Sequence, residues 1–315
     1  MKTCTCISLF FRIIHLSLVP SIIVFMFFSA AAGEANNGDH VMTRTMGAIL
    51  GDSGAAISVT SSGNVCTTGH FSGTADFYPG AETFNQTSAG SSDIFISKLD
   101  INGNFVWAIA IGGTSSASGN SIFVDSSGNV YTMGHFSGTA DFDPGAGISS
   151  LTSSGSSDIF ISKLDSNGNF VWAIAIGGTS YDSGTGISME SSGSVSSTGH
   201  FSATGYFATG TGTSHLTSAG FEDIFISKLT SSGSFVWVKA MGGTLLDGGT
   251  GISVDSSGNI YTSGYFSGIA DFDLGAGIIN LTGEWSDDIF ISKLIGPEIY
   301  PWFMFLPATT GNKQL

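Results

Sequence analysis

A unit of 65 residues recurs along this chain without a gap: DIFISKL begins at Asp93, Asp158, Asp223 and Asp288, and FVW ends at Trp107, Trp172 and Trp237. A step held constant through four copies means that each copy is one supersecondary unit. Such a unit buries its apolar side against the next copy, because it cannot do so alone. The chain's 45 glycines, with abundant Ser and Thr, would suit a disordered segment, but regularly spaced Ile, Val, Phe and Trp argue for a packed core.

The second copy, residues 119–178, shows what the unit is. Alternation predicts strand A over 121–125, with Ile122 and Val124 on one side, then a DSSGN turn in which Gly128 supplies positive φ. Strand B runs from Val130 to about Phe136, and a long Gly/Ser/Thr loop leads to strand C over 158–164. After the turn DSNGN comes strand D over 170–176, with Ala173 and Ala175 opposite Trp172, Ile174 and Ile176. No segment reads as helical. Four antiparallel strands per unit, tight turns and small residues beside bulky ones predict an all-β fold, a β-propeller of four-stranded blades. A β-solenoid is the competing reading, but its coils are shorter and lack paired hairpin turns.

The segments ISVDSSGNIYTSG (252–264) and DIFISKLDSNGNFVWAIAIGG (158–178) resemble the SBBP β-propeller repeat family and, more distantly, NHL repeats. The resemblance covers about residues 41–294 and implies a propeller in an extracytoplasmic setting. It implies no reaction, since the family shares no catalytic residues to carry over.

Blades are expected at about 54–113, 119–178, 184–243 and 249–306, within a propeller region of 41–306, followed by a tail at 307–315. Stepping back 65 residues from Val106 and Gly112 lands on Val41 and Gly47, so 41–47 is in register as an extra D strand. If it paired with the C strand at 288–294 it would latch a closed four-bladed ring without an exposed edge. An open arc that needs more blades, or self-association, is the alternative. The segment IGPEIYPWFMFL keeps Trp302 in step, but Pro301 removes a backbone donor there.

Residues 1–32 share nothing with the repeat. Lys2 and Arg12 precede an apolar stretch ending in Phe27 and Phe28, then Ser29-Ala30-Ala31-Ala32, the pattern of an export signal cleaved after Ala32 or Ala35, with 33–40 as linker. An uncleaved anchor is the rival reading and the one route to a membrane, though His15 and Pro20 interrupt it. Removal of 1–32 leaves 7 basic against 24 acidic residues, a formal charge of −17, which disfavours nucleic acid and anionic lipid as partners. Cys4 and Cys6 leave with the signal, so Cys66 has no intrachain disulfide partner.

Candidate site residues lie on the loop-rich face formed by the D-to-A and B-to-C connections. FSGTADFDPGAG (136–147) returns at 71–82 and 266–277, with Asp76, Asp141 and Asp143, and Asp271 and Asp273 in matching places. Carboxylates two apart on an extended segment point the same way and suit calcium, whereas an Asx-type turn is the plainer reading. Asp52, Asp182 and Asp247 share a position just before strand A, where loops crowd the axis, and could hold a cation or basic ligand. His70, His135 and His200 recur on strand B and read as aromatic packing, and Lys98, Lys163, Lys228 and Lys293 as salt-bridge partners. No hydrolase elbow, zinc-protease, P-loop or dinucleotide pattern occurs.

The function expected is therefore a secreted or cell-surface, non-enzymatic module binding a protein or carbohydrate at that face. A calcium-dependent carbohydrate or matrix adhesin is one alternative. A propeller-type lyase or hydrolase using His200, Asp182 or Asp247 is another.

Overall fold

The computed structural model describes residues 40, 42–47, 49–207, 214–284 and 286–295. The expected export signal, the linker up to residue 39, the last D-strand position around Pro301 and Trp302, and the tail at 307–315 lie outside the described residues. Met1–Met42 and Thr43–Leu315 are two separate units, and every strand belongs to the second.

Among the described residues there is no helix, and the strands are antiparallel. The first repeat forms β1 (Ser53–Val59), β2 (Val65–Phe71), β3 (Thr74–Asp76), β4 (Asn85–Thr87), β5 (Asp93–Leu99) and β6 (Phe105–Gly113). The second forms β7 (Ala117–Val124), β8 (Val130–Phe136), β9 (Thr139–Asp141), β10 (Ser150–Thr152), β11 (Asp158–Leu164) and β12 (Phe170–Gly178). In the third, β13 (Ser183–Met189) precedes β14 (Val195–Tyr206), β15 (His215–Leu229) and β16 (Phe235–Gly243). The fourth contains β17 (Gly248–Val254), β18 (Ile260–Phe266), β19 (Ile269–Asp271), β20 (Asn280–Thr282) and β21 (Asp288–Leu294).

Each repeat pairs its long strands in chain order, A to B to C to D: β1-β2-β5-β6 in sheet 1, β7-β8-β11-β12 in sheet 2 and β13-β14-β15-β16 in sheet 3. Sheet 4 is β17-β18-β21. The loop expected between strands B and C contains a further hairpin, such as β9 against β10, whose Asp141 and Ala140 pair with Gly112 and Gly113 of the preceding D strand. Thr and Ser dominate that stretch, so its apolar period is too weak to announce a strand.

The sheets pack face to face through the repeat's alternation. The front of sheet 1 (Cys66, Ile94, Ile96, Ile111) meets the back of sheet 2 (Ile122, Val130, Phe136, Phe160). Sheet 2 meets sheet 3, and sheet 3 meets sheet 4, through equivalent residues. Full burial of an Ile contributes about 1.5–3 kcal/mol, so these interfaces hold the array together. The A strands β1, β7, β13 and β17 lie side by side in succession. A glycine lets strands A and B approach: a Cβ at Gly134 would lie 1.9 Å from the Ser118 carbonyl oxygen. Burial in the first interface pushes the Cys66 thiol up to about 11.

Among the described residues, 43–47 and the C strand at 288–294, the expected latch, do not pair with each other. Gly47 exchanges backbone hydrogen bonds with Asp76 of β3, as Gly112 pairs with Asp141 one repeat later. β21 pairs with β18 alone among the described residues. Thr43–Met46 therefore lies where the D strand of a sheet preceding sheet 1 would run, with Met46 against the cluster of Phe71, Phe77 and Phe95. Arg44 Nε and Nη2 donate to the Gly103 and Asn102 carbonyls at 3.1 and 3.4 Å. That grip on the C–D turn parallels Trp107 and Lys98, which both donate to Ser166 of the next sheet.

Candidate functional site

The ends of the B strands and the starts of the next A strands assemble a polar ribbon across the sheets. Ser118 Oγ lies 3.3 Å from His70 Nδ1 and also contacts Asn120. Asn120 Nδ2 reaches His135 Nδ1 and Ser183 Oγ at 3.3 Å and donates to the Gly184 carbonyl at 2.9 Å. The Tyr181 ring sits 5.9 Å from His135 and stacks on His200 at 5.7 Å, and His200 Nε2 is 3.9 Å from a Glu222 carboxylate oxygen. Tyr265 continues the series beside Glu222, Asp287 and Asp247, with burial first and those charges next raising its phenol above the ordinary range.

These groups differ in electrostatics. Burial holds the imidazoles of His135 and His200 below their usual pKa; neighbouring His200 and His70 push His135 the same way, while Glu222 pulls His200 upward. Neutral imidazoles accept and donate one hydrogen bond each, which suits the Ser and Asn partners. The expected aromatic packing of these histidines is present at Tyr181. Their linkage into one ribbon was not legible, because Asn120, Tyr181 and Glu222 break the repeat, while Ser118 repeats as Ser53 and Ser183 without showing what it touches.

Asp182 and Asp247 are fully buried, with no solvent exposure. Asp182 accepts the Gly178 and Ser202 N–H groups at 2.7 and 2.9 Å, and Asp247 those of Gly243 and Ser267 at 2.6 and 3.0 Å. Asp52 accepts the Ser72 N–H at 3.3 Å. These carboxylates tie the D-to-A connection to the end of strand B in their own repeat, behind the ribbon. A lyase or hydrolase acting through Asp182 or Asp247 would need an open carboxylate, and neither is open.

The other carboxylates bridge turns. Asp141 Oδ1 accepts the Asp143 and Ser149 N–H groups, and Asp271 Oδ1 those of Asp273 and Ile279. Asp76 Oδ1 accepts those of Tyr78 and Phe84, while Asp143 and Asp273 cap Gly145 and Gly275. Backbone donors hold Asp76 and Asp271 below the ordinary carboxylate range. Among the described residues, no three His, Cys, Asp or Glu side chains converge as metal ligands. The lysines were expected in salt bridges, but Lys228 with Glu190 is the one Lys–carboxylate pair among the described residues. Lys98, Lys163 and Lys293 lie over the rings of Trp107, Tyr131 and Tyr261, where cation–π attraction replaces a carboxylate.

No protein-family model matches the chain. It is similar to an uncharacterised WD repeat-containing protein, L264, of Acanthamoeba polyphaga mimivirus, 26% identical over 186 residues, or 52% of this chain and 13% of that protein. It is also similar to the regulatory protein FlaEY of Caulobacter vibrioides, 30% identical over 108 residues, or 34% of this chain and 11% of that protein. The chain thus spans a small fraction of both relatives' length.

Proposed function

We propose that this chain is a non-enzymatic β-propeller binding module, exported to the cell surface or beyond, whose ribbon of His, Tyr and Glu side chains receives a basic segment of a protein partner. The observation that carries this reading is the ribbon itself. It crosses the repeats where their A strands converge, and Asn120, Tyr181 and Glu222 within it depart from the 65-residue pattern. Divergence at one edge of an otherwise repeated array is what recognition of a particular ligand requires.

Four 65-residue blades in an open arc fit the sheet-on-sheet packing, and the WD-repeat relative and the SBBP resemblance both support a propeller. Export is supported by the basic, apolar and small-residue order of residues 1–32. A formal charge of −15 favours a cationic partner through long-range attraction. Tyr181, 42% exposed, offers a ring face to such a cation beside Glu222.

An oligo-lysine peptide is the probe. Calorimetric titration should show salt-sensitive binding that weakens about tenfold in Glu222→Gln and in Tyr181→Ala, each of which removes about 1–2 kcal/mol of charge or cation–π attraction. Binding that is absent, or equal in parent and variants, would refute the assignment.

A further inference from the structure

We propose that two copies of this chain associate head to tail, the front of sheet 4 in one copy stacking on the back of sheet 1 in the other, to close a ring of eight blades. The inference rests on the propeller reading and adds a partner to it: a second copy of the same chain.

At the two ends of the array, apolar side chains are exposed whose internal counterparts are covered, although Phe71 and Phe95 on the back of sheet 1 are buried beside Met46. Ile289 and Ile291 on the front of sheet 4 are 84% and 82% exposed, whereas Ile94, Ile96, Ile159, Ile161, Ile224 and Ile226 at the same repeat positions are 0% exposed. On the back of sheet 1, Ile57 and Val59 are 66% and 58% exposed, against 7% and 8% for Ile122 and Val124. Each internal front face in the chain is seated on a back face built from the same repeat. The surface that fits the front of sheet 4 is therefore a back face, and the uncovered one is that of sheet 1. Since the two do not meet within one chain, a second chain supplies the match.

The strand inventory makes the same point independently. Among the described residues, sheet 4 has A, B and C strands but no D strand, and the second edge of β21 has no strand partner. Beside it runs an apolar groove of about 810 Å³, lined among others by Trp237, Leu274, Ile279 and Leu294. Thr43–Gly47 has the converse character, a D-register segment docked by Gly47 on sheet 1 with no A, B or C strand of its own sheet among the described residues. Where Ile96 pairs with Ile109 and Ile94 with Ile111 inside the repeat, the same register sets Ile291 of one copy opposite Arg44 of the other, and Ile289 opposite Met46. One association thus covers both apolar faces and removes the open edge, which an isolated sheet would otherwise present to any strand. Heterologous contacts of this kind close into rings when the rotation permits, and eight blades is within the range of four to eight that propellers adopt.

Sedimentation equilibrium of the full chain should give twice the 32.4 kDa chain mass. Ile57→Glu and Ile291→Glu, both at surface positions of the single chain, should each yield a folded monomer. A double variant, R44C with I291C, made in a chain whose Cys4 and Cys6 are replaced by Ser, should give a covalent dimer under mild oxidation, with the unsubstituted positions and both single variants as controls; Cys66 is buried and stays out of the reaction. A parent that is monomeric throughout would overturn the proposal. So would a disulfide formed within one chain, which would mean that the chain closes on itself. Assemblies that grow beyond two copies would overturn the eight-bladed ring. If a chain ending at Ile295 folds but loses dimerisation, residues 296–315 and not Thr43–Gly47 complete sheet 4, and the proposal again fails. The peptide titration with Glu222→Gln reads the binding module separately, so either idea can fail alone.

Discussion

Asp158 with Asp182, and Asp223 with Asp247, form two buried acid pairs around glycines. A Cβ at Gly177 would lie 2.8 Å from both Asp158 Oδ1 and Asp182 Oδ2, and one at Gly242 would lie 2.7 and 3.0 Å from Asp223 Oδ1 and Asp247 Oδ2. Oδ1 of Asp158 and of Asp223 is buried with no hydrogen-bond partner, and a proton held within each pair would supply one. Burial first, with the neighbouring acid adding to it, pushes Asp182 and Asp223 up to about 6 from an ordinary value of 3.8. Such a group binds more protons folded than unfolded between about pH 4 and 6, so its contribution is complete at the acid end and is lost as pH rises through about 6. The buried imidazoles of His135 and His200, held low, act with the opposite sign over the same window. From about pH 4.5 to 7, denaturant-derived stability of Asp182→Asn with Asp247→Asn should therefore rise relative to the parent's by about 1–3 kcal/mol. The turn carboxylates held low, such as Asp76, Asp100 and Asp271, titrate below this window and leave its slope alone. A pH profile unchanged by the double substitution would contradict the pairing.

At the scale of the element, the turns and the A–B crossing are separable. Three of the four B–C loops, in the first, second and fourth repeats, are closed by a carboxylate, Asp76, Asp141 or Asp271, whose Oδ1 already accepts two backbone N–H groups. Melting temperature should therefore be the same with added calcium and with EDTA, whereas Asp141→Ala should lower it; a calcium-dependent rise would revive the adhesin. The A–B crossing depends on the absence of a side chain at Gly134, where any Cβ meets backbone. Gly134→Ala should cost about 1–3 kcal/mol in chemical denaturation. In the second repeat strands B and C lie where their alternation places them, and the A–B and C–D turns where DSSGN and DSNGN do, but in the third repeat strand B runs on to Tyr206 and strand C begins at His215. Strand A of the second repeat begins at Ala117, four residues before the expected Ser121, because Gly and Ser there pair through backbone groups and leave no apolar period to read.

For the whole molecule, identical side chains at identical repeat positions give the sharpest comparison. Ile161→Ala, within an internal interface, should destabilise by about 2–5 kcal/mol. Ile291→Ala should change the stability of the single chain by at most about 0.5 kcal/mol while weakening association between copies. Equal losses at the two positions would mean that Ile291 is covered within its own chain.

The order of residues alone determined the repeat length, the four-stranded unit, its turns and which side chains pair across each internal interface, because local alternation and turn chemistry act within one copy. Tertiary structure decided what repetition leaves degenerate. Thr43–Gly47 has the register of a D strand for any sheet, and only the packing shows that Gly47 pairs on sheet 1 while β21 pairs with β18 alone among the described residues. Asp182 and Asp247 likewise resemble exposed loop acids in sequence, and only burial behind the ribbon makes them clamps. A repeat specifies each neighbour contact equally well, so sequence cannot say where the array stops or which end meets which.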